Sequence, residues 1–171
     1  MRAEIEVIGM AKKKTVTNAM RMLTAAKIKF ETVEYECDDV GEDFGGEISR
    51  LTGIPPEKAL KTLVMRGDKT GIIVVCIPVC NEADLKKIAK QSGNKKVEMI
   101  HVRELLNLTG YVRGGVSPIG MKKKYPTYIN DTAKNFDTDA VSAGVCGATL
   151  LISPDDLQRA TDCTFADLIK E

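Results

Sequence analysis

Apolar residues recur along the chain with two different periods, which divide it into short helices and short strands. A helical period over 17–27 predicts a first helix with a buried stripe formed by Val16, Ala19, Met20, Leu23 and Ala26. Further helices are predicted at 47–51, at 82–92 with Asn81 and Asp84 as its capping pair, at 102–108, and after capping sequences beginning at Ser153 and Thr164. Strands are predicted at 30–37, 59–65, 72–77, 97–100, 127–130, 140–142 and 149–152.

The order of these elements predicts an α+β fold. Many short strands are interrupted by helices without the regular strand–helix alternation of a doubly wound sheet. The segment 72–77 is apolar on both faces and is therefore predicted to be a central strand. A chain of 171 residues with 43% hydrophobic and 29% charged residues is expected to form one domain around a single substantial core.

A lysine stands in one of the predicted strands where an apolar residue is expected. Along 59–65, strand alternation places Leu60, Thr62 and Val64 on one face and Lys61, Leu63 and Met65 on the other. An ammonium at this position either extends to solvent, protects a sheet edge, or points into a site that uses its charge. The spacing alone leaves these interpretations open.

A glycine-rich turn that leads into a lysine cluster is the second candidate feature. Gly110, Gly114, Gly115 and Gly120 remove side chains where another group must approach the backbone, and Pro118 stiffens the turn. Exposed N–H groups there suit an anion or a developing oxyanion, and the lysines at 122–124 add a positive rim. The alternative is an ordinary surface loop before a solvated run of charges.

Together these segments resemble the YbaK/ProX family of aminoacyl-tRNA deacylases. The resemblance is carried, in order, by residues 60–63, 85–90, 95–99, 109–111 and 114–120. It extends from about 17 to 169, so we treat 1–9 as an N-terminal extension. It implies a mixed, barrel-like sheet of about six strands surrounded by helices.

The resemblance also assigns roles to individual residues. Lys61 matches the essential lysine of the family and, with the N–H groups of Gly114 and Gly115, would stabilise the oxyanion formed when an ester carbonyl is attacked. The attacking group is then water or, in cysteine-specific members, the thiol of the substrate. Residues matching the substrate pocket and its tRNA-facing rim are Tyr35, Phe44, Thr62, Ser117, Pro118, Ser142, Gly144, Lys122, Lys123 and Lys124.

Some of these residues also have structural interpretations, and one segment departs from the family. Tyr35 is equally consistent with core packing, and Phe44 with anchoring of the acidic loop at 38–47. The turn at 142–149 is apolar where many members carry charge, and Thr149 replaces a larger polar residue. The amino-acid preference is therefore left open.

The net charge, the single histidine and the cysteines exclude or disfavour several kinds of chemistry. A net charge of +1 excludes a broadly basic nucleic-acid-binding protein, so contacts to RNA must come from local patches. The only histidine, His101, is expected to be a cap or surface residue rather than part of a triad, and the carboxylates in 38–43 lack the spacing of a calcium loop. We predict no metal and no cofactor. Five cysteines without a CxxC pair favour free thiols over a disulfide framework.

Location and function follow as expectations. The longest apolar run, 72–79, is too short to span a bilayer, and no signal peptide is recognised near Met1, so we expect a cytoplasmic protein. The leading hypothesis is a trans-editing hydrolase acting on mischarged tRNA(Pro), with cysteine and then alanine as substrates and prolyl-tRNA synthetase as a transient partner. The alternatives are a non-catalytic module that binds aminoacyl-tRNA, a nucleotide or an amino acid, and a hydrolase of small esters unrelated to tRNA.

Overall fold

The computed structural model describes residues 16–37 and 44–171, with the side chains of 44–46 excepted. Within these ranges five α-helices are present: α1 Asn18–Ala25, α2 Phe44–Thr52, α3 Leu85–Ser92, α4 Leu105–Thr109 and α5 Pro154–Thr161. Two short 3₁₀ helices span Val102–Glu104 and Asp131–Asn135. None of the helices in the described ranges has the length and apolarity needed to cross a membrane.

The strands form two sheets. They are β1 Glu31–Glu34, β2 Leu60–Gly67, β3 Gly71–Pro78, β4 Val97–Met99, β5 Thr127–Asn130, β6 Asp139–Ser142, β7 Ala148–Ile152 and β8 Thr164–Ala166. The smaller sheet has the order β1–β7–β6 and is antiparallel, and the larger has the order β4–β2–β3–β5–β8. Within the larger sheet, the pairs β3–β5 and β5–β8 are parallel. The predicted α+β class is confirmed.

The two sheets meet at one parallel bridge, between Ala59 and Ala140. At this bridge the N–H of Ala140 donates to the carbonyl of Lys58 at 2.8 Å. The same edge of β2 pairs with β4 further along, at Met65–Gly67. Because β6 and β4 share this edge, the described residues form two joined sheets of eight strands in total, and no closed barrel is found among them. The expectation of a barrel of about six strands is not confirmed.

The core lies on both faces of the larger sheet. On one face Leu60 and Cys76 pack with the inner faces of α1 and α5. On the other, Met65 and Ile77 pack against Ile88 of α3. β3 is therefore buried on both sides, which confirms the prediction of a central strand.

Side-chain caps fix where the helices begin. Thr17 Oγ1 accepts a hydrogen bond from the N–H of Met20 at 3.2 Å and caps α1. Ser153 Oγ accepts from the N–H of Asp156 at 3.2 Å, so the predicted start of α5 is confirmed. α3 begins at Leu85 rather than at 82 because Asp84 alone, and not the predicted pair, accepts from the N–H groups of the first turn.

The prediction of a last helix after Thr164 is wrong. Residues 164–166 form β8, which runs parallel to β5. Asn130 Oδ1 accepts a hydrogen bond from the N–H of Leu168 at 2.9 Å and fixes the end of this segment against β5. Pairing with an available sheet edge outweighs a local sequence that resembles a helix cap, and the segment that follows β8 buries Leu168 completely.

The preference for free thiols over a disulfide framework fits three of the five cysteines but not the other two. Cys37 and Cys146 form a disulfide, with their α-carbons 5.7 Å apart, within the usual range for such a bond. The pairing of β1 with β7 brings them together although 109 residues separate them in sequence. Cys76 and Cys163 are buried free thiols and Cys80 is an exposed one. Burial raises the pKa of Cys76 to about 12, which makes that thiol inert.

Candidate active site

A gap in strand pairing surrounds the candidate lysine. One edge of β2 is occupied by β6 at Ala59 and by β4 from Met65 onwards. Between these points, residues 61–63 pair only with β3 among the described strands. We call this break in the sheet the notch. No described strand pairs with the outer edge of β2 beside Lys61.

Lys61 is half-buried, and its face of β2 is otherwise apolar. Its cross-strand neighbour is Ile77, and strand alternation places Leu63 on the same face. No hydrogen bond or ion pair to the Lys61 ammonium is made by any residue in the described part of the chain. The ammonium is therefore on an apolar face of the strand and is not compensated by any described residue, which suits the binding of an anion or oxyanion.

The strand registers align Lys61 with two hydroxyl side chains. Thr149 on β7 faces Ser142 on β6. The bridge between Ala59 and Ala140 is parallel, and continuing its register by two residues along each strand would place Ser142 beside Lys61, although the ladder itself ends at the bridge. We call Thr149, Ser142 and Lys61 the polar row. Thr149 is buried and donates its hydroxyl to the carbonyl of Val141 at 2.8 Å.

The turn that follows Ser142 is shaped by glycine and borders the polar row. Ser142 Oγ accepts a hydrogen bond from the N–H of Gly144 at 3.2 Å, and Gly144 has φ +100°. The N–H of Tyr35 donates to the carbonyl of Gly147 at 2.9 Å, which brings the predicted pocket residue Tyr35 to the other end of the turn. Burial raises the pKa of the Tyr35 phenol, and a separate hydrogen bond from the Gly147 backbone to the phenol oxygen partly opposes this.

The glycine-rich loop packs on the same turn. A Cβ added to Gly115 would lie 2.9 Å from the Cα of Val145, so only glycine permits this contact. The N–H of Gly115 donates to the carbonyl of Val112 at 2.9 Å and is already engaged. Gly114 has φ +89°, and its N–H has no acceptor within the described ranges. Of the two predicted oxyanion donors, Gly114 is available and Gly115 acts as a spacer.

Three of the predicted pocket residues face the interior or the opposite side of the sheet. Ser117 is fully buried and its Oγ accepts from the N–H of Ile119 at 3.3 Å, while Pro118 is also buried. Thr62 lies on the face of β2 opposite Lys61, with its hydroxyl 3.6 Å from Cys76 Sγ. These residues support the fold of the loop and the strand rather than joining the polar row.

Tyr111 and Thr17 are structural elements of the site that the sequence analysis did not assign. The buried Tyr111 hydroxyl donates to the carbonyl of Ile119 at 2.6 Å, and burial raises its pKa to about 12. A Cβ on Gly144 would lie 2.7 Å from the Tyr111 ring. Thr17 Oγ1 donates to the carbonyl of Ala143 at 2.5 Å. The signal for Tyr111 was its place in the 109–111 motif, whereas nothing in the sequence singles out Thr17.

The lysine cluster is exposed, and its members differ in their surroundings. Lys124 forms an ion pair with Asp162. The aliphatic stem of Lys122 covers Gly110, where an added Cβ would lie 3.2 Å from the lysine Cγ. Lys122 and Lys123 make no ion pair with any described residue. They are the members of the cluster whose charge is free to meet phosphate.

Other candidates lie outside this site or outside the described residues. The side chain of Phe44 and the acidic stretch 38–43 belong to the part of the chain that is not described. His101 is exposed at the start of a 3₁₀ helix, where its N–H donates to Glu104 at 3.1 Å. No cluster of three or more metal-ligating side chains occurs in the described ranges.

A cavity of about 770 Å³ is also separate from the polar row. It lies between the end of α1 and the start of α5, and Thr24, Phe30 and Ser153 are among its lining residues. None of the predicted site residues contributes to its lining. The notch is defined by the missing strand pairing at residues 61–63 among the described strands and does not coincide with this cavity.

Comparison with known proteins identifies the family of the chain. Residues 46–160 match the family model described as the aminoacyl-tRNA editing domain. A protein of Enterococcus faecalis, EbsC, whose name makes it a candidate Cys-tRNA(Pro)/Cys-tRNA(Cys) deacylase, is 44% identical over 162 residues, covering 93% of this chain and 98% of that protein. An uncharacterized protein of Bacillus subtilis, YwhH, is 26% identical over 131 residues, covering 77% of this chain and 78% of its own.

A solved structure shares the fold. The crystal structure described as a candidate trans-editing enzyme for prolyl-tRNA synthetase superposes with a TM-score of 0.77 at 23% identity, covering 92% of this chain and all (100%) of that one. At this identity the likeness establishes the fold, and the family assignment rests on the sequence matches. The chain belongs to the aminoacyl-tRNA editing domain family, also known as the YbaK family.

Proposed function

We propose that this protein hydrolyses the ester bond of mischarged aminoacyl-tRNA in trans, with Lys61 stabilising the oxyanion. The observation that carries the proposal is the half-buried ammonium of Lys61 beside the notch, which has no hydrogen-bond or ion-pair partner among the described residues. The family and the name of the Enterococcus faecalis relative support the reaction class. The function is therefore editing of the product of a synthetase.

The chemistry requires charge stabilisation more than a nucleophilic side chain. Attack on the ester carbonyl develops negative charge on its oxygen, and a fixed ammonium beside apolar surface stabilises that charge more than water does. The N–H of Gly114 and the hydroxyl proton of Ser142 are the further donors that we assign to the site. The leaving group is the ribose hydroxyl of the terminal adenosine, which takes up a proton as the carbon–oxygen bond breaks.

The attacking group comes from outside the protein. Either a water molecule or the thiol of a cysteinyl substrate attacks the carbonyl. An aminoacyl ester is activated, so correct positioning and one or two donors are sufficient to accelerate its cleavage. We assign cysteine on tRNA(Pro) as the first substrate and alanine as the second, and prolyl-tRNA synthetase as the transient partner that supplies the charged tRNA.

The test is deacylation of tRNA(Pro) charged separately with cysteine, alanine and proline. Wild type is compared with Lys61→Met, which keeps the aliphatic stem and removes the charge. Loss of one oxyanion donor is expected to lower the rate by about 10²–10³-fold. Lys69→Ala is the matched control, because Lys69 is exposed in the turn at the far end of the same hairpin and should leave the rate unchanged.

The alternatives predict different results. A non-catalytic module would bind charged tRNA without releasing the amino acid, and Lys61→Met would weaken binding only. A hydrolase of small esters would act on an aminoacyl ester of a simple alcohol as fast as on tRNA, with little dependence on salt. Equal rates for wild type and Lys61→Met on every substrate would refute the assigned role of the lysine.

A further inference from the structure

We propose that a lysine-bearing corner of the larger sheet, remote from Lys61, binds the phosphates of the double-stranded stem next to the 3′ end of tRNA. The corner forms where the turn between β2 and β3 meets the loop between α3 and β4, and it exposes Lys90, Lys95 and Lys96. We call these three lysines the basic corner. The identity of the RNA rests on the proposed function, whereas the surface itself is a property of the fold.

Two side chains lock the turn and the loop together. Asn94 is buried, and its Oδ1 accepts hydrogen bonds from the two N–H groups at 69–70, at 2.8 and 3.0 Å. In the opposite direction, Asp68 Oδ1 accepts from the N–H groups of Lys95 and Lys96 at 3.0 and 3.2 Å. The backbone that carries these two lysines is therefore fixed on the sheet, although their side chains are exposed.

The basic corner keeps its positive charge. The segment 85–96 contains five lysines and no acidic residue. Among the residues that the structure describes, only Lys87 of these five forms an ion pair, with Asp167. Asp68 is the acidic group at the corner, and backbone hydrogen bonds hold its pKa below its usual range. Its charge also interacts with that of Lys69, which we therefore leave out of the basic corner.

The basic corner lies on the same edge of β2 as the notch. β4 pairs with this edge at Met65–Gly67, and the N–H of Asp68 donates to the carbonyl of Lys96 at 3.1 Å. Lys61 and Gly67 are six residues apart on β2, which corresponds to about 20 Å of extended strand. With one phosphate per strand about every 3.4 Å along a stacked helix, this distance spans roughly six nucleotides. An ester held at Lys61 therefore places the beginning of the stem, rather than the single-stranded 3′ end, at the basic corner.

A phosphate backbone fits this surface better than a membrane or a protein partner does. The exposed residues among the lysines are Thr70, Gln91 and Gly93, which are polar or small. They offer no apolar anchor for a lipid surface or for the centre of a protein interface. Contacts to phosphate need only fixed cations, and they position a nucleic acid without reading its sequence. The basic corner is therefore expected to hold tRNAs of different identity equally well.

The surface is tested first with an uncharged RNA, because its binding requires no hydrolysis. The probe is a hairpin that reproduces the acceptor stem and 3′ end of tRNA(Pro), and binding is followed by fluorescence anisotropy at several salt concentrations. Lys95→Gln and Lys96→Gln should each lower the salt slope by about 1. The triple variant that also carries Lys90→Gln should bind about tenfold more weakly, the effect of three exposed charge contacts. Lys29→Gln is the matched control, because Lys29 is an exposed lysine beside the cavity between α1 and α5, and it should bind like wild type.

Three results overturn the proposal. An unchanged salt slope in Lys95→Gln and Lys96→Gln would exclude phosphate contacts at the basic corner. A loss in Lys29→Gln as large as theirs would show a response to the net charge of the protein rather than to one surface. Binding of polyglutamate, or of vesicles of phosphatidylserine and phosphatidylcholine, as tight as that of the hairpin would assign the surface to another class of partner.

The link to the proposed function is tested with alanine-charged tRNA(Pro) and with alanine esterified to a short single-stranded RNA that contains only the 3′ end. In single-turnover deacylation, the triple variant should need about tenfold more tRNA than wild type to reach half of its maximal rate. This difference should disappear with the short RNA, which does not reach the basic corner. Equal behaviour of the two proteins on tRNA overturns the proposal. Weaker hairpin binding by the triple variant, with no deacylation by either protein, counts against the proposed function alone.

Discussion

Asp139 is a buried carboxylate whose ionisation should oppose folding at neutral pH. It opens β6, is fully buried, and neither of its carboxylate oxygens has a hydrogen-bond partner among the described residues. Burial raises its pKa from 3.8 to about 7, and the charge of Lys58 opposes the shift only in part. The Lys58 ammonium itself donates to the hydroxyl of Thr138 at 3.1 Å.

The sign of the effect follows from proton binding. Below pH 3.8 the carboxyl group is protonated in both the folded and the unfolded chain, so its contribution is most favourable there. As the pH rises towards 7, the unfolded chain loses this proton while the folded protein keeps it, so the free energy of unfolding falls. The difference between the two pKa values lowers the free energy of unfolding by roughly 2–4 kcal/mol at pH 7. The lower part of this range allows for screening of the charge by solvent.

The perturbation is Asp139→Asn, which keeps the shape and removes the charge. Urea unfolding is measured between pH 4.5 and pH 8, and the variant is expected to exceed wild type by roughly 2–3 kcal/mol at the alkaline end and to approach it at the acidic end. Asp137→Asn, two residues earlier and exposed, is the matched control and should follow wild type. A stability difference between Asp139→Asn and wild type that is constant across this range, or a variant that is less stable than wild type at pH 8, would refute the reasoning.

Two further predictions concern the turn and the lysine cluster. Gly144→Ala forces a non-glycine residue to φ +100° and places its Cβ within 2.7 Å of the Tyr111 ring. Urea unfolding should therefore show a loss of about 2–3 kcal/mol in the free energy of unfolding. The matched control is Gly53→Ala, where φ is +76° and no neighbour lies within 4 Å, and it should lose only about 1 kcal/mol. Lys122→Ala and Lys123→Ala should each lower the salt slope of tRNA binding by about 1; an unchanged slope would exclude phosphate contacts.

Local sequence patterns were sufficient to predict the elements whose burial is determined by their own sequence. The 72–77 strand is apolar on both faces, and it is buried on both faces in the larger sheet. The start of α5 follows from Ser153 and Pro154, whose side chains suit a first helical turn. The segment after Thr164 has the same kind of capping sequence, yet it forms β8 because β5 offers it an unpaired edge. Only tertiary structure distinguishes these two cases.

The residues of the candidate site could be predicted from the sequence, but their arrangement in space could not. The resemblance identified Lys61 and Ser142, and the structure bridges their strands at Ala59 and Ala140, two residues before each of them and about eighty residues apart in sequence. The same limit applies to Cys37 and Cys146, which no short motif connects. Pairing of distant strands decides both contacts, and a single sequence does not reveal which strands become neighbours.

The arrangement also identifies which groups are unable to act as a base. Asp139 has the strongly raised pKa that often marks a functional carboxylate, but strand alternation places it on the face of β6 opposite Ser142. His101 is exposed in a helix cap, outside the notch. Among the described residues, the polar row therefore offers an ammonium and hydroxyl groups but no carboxylate or imidazole. A nucleophile supplied by water or by the substrate is consistent with this composition, because the site then needs only to position the ester and stabilise the charge that develops on it.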